Sequence, residues 1–461
     1  MSFSTFEFII VFLPVFLVIY YTLLKLNRNK TSLANIWLII GSLAFVFYAD
    51  FASGHYYNTL ILVLLGIYSF LIARGLSFLE NKESYILLRK ALFIAGISVI
   101  LAVLFVYKYY VKILPLGISF YSFTMIAYLA DIYRSRMRAE ASIVNYFAYI
   151  CMFPKLLQGP ITRYSRFSES LEKRNITIRR FDRALKLFIM GLAMKVLLAD
   201  RVGLLFFEIE KIGFESISTP LAWMGAVAFS LQLYFDFCGY TLMAMGLGSM
   251  LGFRMPANFD SPYASRSVSE FYRRWHITLG KWFRDYIYIP LGGNRKGVMV
   301  TLINLFIVWL LTGVWHGRSL NFLIWAGILF VFISLEKLFL NKLLYKTNVL
   351  SRIYLLLVIV VSWVTFAITD VARLWIYITR MFPFINAGYE SNVLADDYIK
   401  YCRMYGPIML VAIVLCIPKV YRGLLVGRRK TISSFLCILL FVLSLFAISK
   451  GMNNPFMYFD F

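Results

Sequence analysis

The sequence predicts an all-α polytopic membrane protein, and three observations carry that reading. Of 461 residues, 61% are hydrophobic and 15% charged, with a mean hydropathy of +0.75, whereas soluble domains carry about a quarter charged residues. Apolar runs of spanning or near-spanning length recur along the whole chain, and a membrane helix takes about 20 such residues. Lys and Arg total 47 against 23 Asp and Glu, a formal net charge of +24. In a soluble protein that excess would suggest nucleic acid, but beside so many apolar runs it is the signature of the positive-inside rule. A soluble globular protein is excluded, and the expected partner of the surface is the lipid bilayer.

Twelve runs are expected to span or nearly span, at 8–24, 34–48, 58–73, 91–107, 114–130, 184–198, 220–237, 299–315, 320–335, 353–369, 407–418 and 433–449. The first follows no basic segment and ends without a small-residue cleavage site, so it reads as a retained span. Basic clusters follow the first, third and fifth runs, which assigns that side to the cytosol. Continuing the alternation puts the loops 163–186 and 254–297 on the cytosolic side and both termini outside. Two stretches break the pattern. Residues 146–160 hold Pro154, Lys155, Gly159 and Pro160, and read as re-entrant, which is tolerable at membrane depth only when buried in protein or lining a cavity. Residues 239–252 carry glycines at 239, 246, 248 and 252 and are expected to be irregular or re-entrant as well.

Five scattered cysteines form no CxxC pair and have no histidine at metal-ligand spacing, so neither a disulfide framework nor a metal site is expected. No glycine cluster follows a strand signal, which removes a Rossmann or P-loop nucleotide site.

With three histidines, acid–base chemistry near neutral pH has few candidates. His55, in an SGHYY loop, reads as an interfacial polar residue. His316 closes an apolar run beside Trp315 and between glycines, where an ionisable group is either functional or a hydrogen-bonded core or cap residue. His276 sits in a stretch where aromatics and cations alternate at helical spacing. That suits a helix on the membrane surface or an anion site in which Arg273, Arg274 and Arg284 hold phosphates. Asp236 lies inside an apolar run, where a carboxylate needs a buried Arg or His as its partner or else has a catalytic role.

Several strings then occur in a familiar order: LPLGISFYSF at 114–123, QGPITRY at 158–164, YFDFCGY at 234–240, MAMGLG at 243–248, RWH at 274–276 leading to YIPLGGNR at 288–295, and WHG at 315–317. Together they resemble the bacterial branch of the membrane-bound O-acyltransferase (MBOAT) family, in particular its polysaccharide O-acetyltransferases. The resemblance implies a single MBOAT domain over 1–461. Residues 1–113 would form N-terminal spans, 114–325 the motif-bearing core, and 326–461 further spans with an extracytoplasmic aromatic tail. It implies about 11–13 membrane helices, re-entrant segments included, around a central tunnel.

By the same resemblance His316 matches the catalytic histidine and His276 the second motif histidine, while Trp315 and Asp236 would tune or support the site. The donor would be acetyl-CoA on the cytosolic side of a bacterial cell membrane, with no bound cofactor. The acceptor would be an extracytoplasmic polysaccharide, reached directly or through an SGNH-hydrolase-like O-acetyltransferase partner. The tail PFMYFDF at 455–461 resembles that of family members working with such a partner, and implies Tyr458 as a transient acyl carrier; an interfacial aromatic anchor is the alternative. A straight helix from Val300 to His316 rises about 24 Å, which places His316 toward the outer face unless the helix tilts. Two rivals stand beside this reading. One is D-alanyl transfer to teichoic acid by a related MBOAT protein. The other is a transporter or flippase, against which no pair of related half-sequences is visible.

Overall fold

A computed structural model describes residues 2–27, 30–111, 113–385, 396–426, 430–452 and 454. Its described residues form helices joined by loops and turns, without a strand, and nine helices among them are long and apolar enough to cross a membrane. The protein is a multi-pass all-α membrane protein. These nine coincide with nine of the twelve apolar runs. The run at 114–130 becomes the helix Ile118–Tyr133, and the run at 433–449 lies in the helix Lys430–Ser449. The run at 184–198 is shared between the helix Ile178–Ala193 and a wide π-type turn, Met194–Ala199.

The chain forms two compact units, Met1–Ile189 with Tyr240–Ala257, and Met190–Gly239 with Asn258–Phe461. In the first, the stretch read as re-entrant is a broken helix pair, Ile143–Ile150 and Phe153–Leu156, and every residue from 146 to 160 is buried. Side chains of neighbouring helices hold it: Ser42 Oγ accepts from the Phe153 backbone amide at 3.1 Å, and Ser69 Oγ lies 2.5 Å from the Tyr146 hydroxyl. Burial in protein is the condition under which such irregular backbone survives away from water. Phe3, Phe8 and Phe45 pack on Phe153 with ring centroids 5.7 to 6.1 Å apart, wedging the break.

The glycines at 239–252 behave otherwise than expected. Thr219–Met250 is one continuous 32-residue helix, so no irregular segment occurs before Leu251. A mid-helix glycine costs about 1 kcal/mol relative to alanine, and the reason for it here is close packing. A Cβ on Gly246 would lie 2.6 Å from the Ala184 carbonyl oxygen, and one on Gly239 2.6 Å from that of Gly191. These glycines let a second backbone approach; they do not break their own helix.

Candidate active site

The site lies wholly in the second unit. The helix Val298–His316 ends on His316, and the next helix, Leu320–Leu344, folds back beside it. Gly313 permits the close return, because a Cβ there would meet the Phe322 carbonyl oxygen at 2.9 Å and the Ala326 Cβ at 3.0 Å. The Asn321 amide donates to the carbonyls of Thr365 and Phe366 at 3.0 and 3.1 Å. It thereby fixes the end of the helix Asn348–Ala367 against the same corner. His316 is buried in an aromatic cage: the rings of Trp325 and Phe366 stand nearly perpendicular to it at 5.0 Å, and Trp315 lies at 4.6 Å.

His276 arrives by a different device. The single surface helix expected from the aromatic and cationic alternation is two short helices, Val268–Arg274 and Ile277–Phe283, with a corner at Trp275 and His276. His276 has φ 44°, left-handed backbone that a non-glycine residue adopts at a cost of about 1–3 kcal/mol. The corner is held by the preceding loop. Asn258 accepts from the Ile277 amide through its carbonyl at 2.9 Å, and from the Thr278 hydroxyl through its side chain at 2.6 Å. Arg274 in turn accepts from the Asp260 amide at 3.0 Å. This stitching holds His276 buried at the corner, where Phe237 stands edge-on at 4.7 Å. Burial pushes the His276 imidazole down from 6.5 to about 3, so it is neutral at physiological pH.

Both histidines line one cavity of about 600 Å³. Its lining includes the aromatic residues Tyr272, Trp309, Trp325, Trp363 and Phe366 and the cations Arg273, Lys281, Arg284 and Lys337. Four cations and an apolar wall suit a ligand with an anionic end and an uncharged reactive end. An imidazole at His316 can accept a proton from a reacting hydroxyl, whereas His276, held neutral by burial, can share a hydrogen bond with it.

The residues singled out from sequence divide accordingly. His316, His276, Arg273 and Arg284 meet at this cavity. Arg274 is not on its wall; it pairs with Glu270 at 2.7 Å, one turn back on its own helix. Trp315 touches His316 without lining the cavity. Asp236 pairs not with the expected Arg or His but with a lysine, Lys195, at 2.7 Å, and neither borders this cavity. Tyr458 lies outside the described residues. Sequence reading missed the aromatic wall, Lys281 and Lys337. A basic residue closing an apolar run is the signal that could have drawn attention to Lys337.

A multi-pass helical protein with two buried histidines at an aromatic and cationic cavity defines a class, and the comparisons place the chain in it. The sequence profile of the membrane-bound O-acyltransferase family matches residues 133–378, a stretch that contains the whole cavity. The chain belongs to that family and is an acyltransferase. It is 32% identical to the probable alginate O-acetylase AlgI of Pseudomonas putida, over all of both chains. The probable alginate O-acetylase AlgI of Pseudomonas aeruginosa is 35% identical over 83% of this chain and 75% of its own. The peptidoglycan O-acetyltransferase of Helicobacter pylori is 29% identical over 76% of this chain and 75% of its own.

Proposed function

We propose that this protein resides in a bacterial cell membrane and moves an acetyl group from cytosolic acetyl-CoA to the O-acetylation of an extracytoplasmic polysaccharide. The observation that carries the proposal is the cavity itself, where His316 and His276 share a wall with Arg273, Lys281, Arg284 and Lys337. The relatives named as O-acetylases and an O-acetyltransferase support the acetyl group and a glycan acceptor. In this reading the cations hold the phosphates of the donor, and the aromatic wall takes the pantetheine arm and thioester. His316 removes the proton from an acceptor hydroxyl as its oxygen attacks the thioester carbonyl. The carbon–sulfur bond breaks, and the imidazolium returns its proton to the departing CoA thiolate. His276, held neutral, orients the reacting groups by hydrogen bonding.

The acceptor hydroxyl belongs to the polysaccharide or, at an intermediate stage, to the phenol of Tyr458, from which an SGNH-hydrolase-like partner outside the cell would take the acetyl group. The basic loops 163–186 and 254–297 then face the cytosol and both termini face outward. The deciding experiment compares O-acetyl content of extracytoplasmic glycans in cells with the intact protein, with a deletion, and with His316→Ala at equal membrane abundance. Loss in both altered strains is expected and identifies the glycan. Loss only in the deletion removes His316 from the chemistry, and an unchanged acetyl content with loss of D-alanyl esters replaces the donor and acceptor together.

A further inference from the structure

The helix Leu320–Leu344 carries a buried carboxylate for which the acyl transfer has no use. Glu336 is 0% exposed and opens a wide π-type turn, Glu336–Leu340. It sits at the amino end of the helix Val268–Arg274. Its Oε1 accepts from the Val268 amide at 2.6 Å and from the Tyr354 hydroxyl at 3.1 Å. Its Oε2 accepts from the Ser269 amide at 2.8 Å and from the Ser269 hydroxyl at 2.5 Å. The third amide of that helix, on Glu270, is taken at 3.1 Å by Ser267, the residue that begins it. The first three amides of the short helix are therefore all satisfied, two of them by a side chain 67 and 68 residues away in sequence.

Two physical facts give this arrangement its meaning. A buried carboxylate is tolerated only when its charge is hydrogen-bonded, and four donors at a helix N-terminus, where the peptide dipoles favour negative charge, meet that requirement. The helix it caps has seven residues, too short to persist by its own hydrogen bonds, yet it presents Tyr272 and Arg273 to the cavity and leads directly into the corner at His276. Lys337, the neighbour of Glu336, lines the same cavity, while Glu336 does not.

We propose that Glu336 is a positioning residue. It clamps the helix Val268–Arg274 to the helix Leu320–Leu344, so that Arg273 and His276 are presented to the cavity shared with His316 and Lys337. The part of this that concerns the donor rests on the cavity being the acetyl-CoA site; the clamp itself does not.

The test uses the purified full-length protein and two readouts. Glu336→Gln keeps the size of the side chain but turns an NH2 group toward an amide that needs an acceptor, whereas Tyr354→Phe leaves both backbone amides paired. In amide hydrogen exchange without donor, Glu336→Gln should speed exchange over Val268–Arg274 and Ile277–Phe283 about tenfold, the loss of one buried pair. Exchange in Val298–His316 should stay unchanged, and Tyr354→Phe should behave as wild type. In transfer assays corrected for folded protein, Glu336→Gln should raise KM for acetyl-CoA by about the same factor with little change in kcat. Unaltered exchange overturns the clamp. Faster exchange with an unaltered KM overturns the positioning role and leaves Glu336 a fold residue only. If wild-type protein shows no saturable use of acetyl-CoA, the donor reading fails while exchange still decides the clamp. Should Glu336→Gln not accumulate, Glu336→Asp keeps the charge but draws the carboxylate back from both amides by one methylene, and is read in the same two ways at smaller amplitude.

Discussion

Lys195 places its ammonium 2.7 Å from the carboxylate of Asp236 and 2.5 Å from that of Asp200, with all three side chains about 1% exposed. Asp236 stands inside a spanning helix, Thr219–Met250, and Lys195 in the π-type turn Met194–Ala199. Gly239, one turn after Asp236, makes the approach feasible, since a Cβ there would also lie 3.2 Å from the Lys195 amide nitrogen. The glycine and the aspartate are two halves of one contact: the first brings the backbones together, and the second, with Asp200, supplies the charge that the buried lysine requires.

Removing one member of a buried ion pair strands the other and costs about 3–5 kcal/mol. Asp236→Ala leaves Lys195 with Asp200 as its remaining partner, so it should reduce membrane abundance and lower the melting midpoint of the solubilised protein by less than that full cost, a few degrees. Gly239→Ala should also destabilise, by forcing the helices apart. Melting followed by size-exclusion chromatography checks both, and a wild-type midpoint for Asp236→Ala would show that the pair does not support the fold.

His316→Ala should leave abundance and melting near wild type while lowering acetyl transfer by about 10²–10⁴, the usual worth of a positioned general base. Trp325→Leu opens the cage without touching the imidazole and should produce a smaller loss. Transfer rates per folded molecule make the comparison. Equal activity in His316→Ala and wild type would remove the base from this position.

The spans were legible because run length and hydropathy report directly on what a bilayer demands, and the ordered motifs reached the family. Local geometry was less legible where one residue type serves opposite ends. Glycine marks both broken helices and tight helix contacts, and only the neighbouring carbonyls of Ala184 and Gly191 decide for contact at 239 and 246. The corner at His276 carries no periodic signal, because Asn258, well upstream, holds it. The straight-rod estimate put His316 toward the outer face, away from His276 in the basic loop, and run lengths alone do not tell that both histidines line one cavity. Their meeting at one cavity depends on that corner and on the return of the chain after Gly313.

His276 has a pH consequence whose sign follows from its burial. The folded state keeps the imidazole neutral down to about 3, whereas an unfolded chain protonates near 6.5. Between these values the unfolded state binds the extra proton, so stability falls as pH drops below about 6.5 and is insensitive to this residue above it. Wild-type protein should lose more melting temperature between about pH 7 and pH 5 than His276→Gln, which has no such group. Parallel slopes for the two proteins over that interval would mean that the imidazole is solvated and titrates normally in the fold.

Arg273 and Arg274 provide the sharpest test of the donor site, because they are adjacent and differ in direction. Consecutive residues on a helix project about 100° apart at 3.6 residues per turn. Arg273 accordingly lines the cavity, while Arg274 turns to Glu270 at 2.7 Å and to the Asp260 carbonyl at 3.3 Å. Arg273→Ala should raise KM for acetyl-CoA about tenfold or more, the worth of a charge-assisted hydrogen bond to phosphate, with kcat little affected. Arg274→Ala removes a half-exposed ion pair of small value and should leave the donor KM within about twofold of wild type. Saturation curves at equal folded protein distinguish the two. If Arg274→Ala raised KM as much as Arg273→Ala, the donor phosphates would be held outside this cavity, on the face where Arg274 meets Glu270 and Asp260.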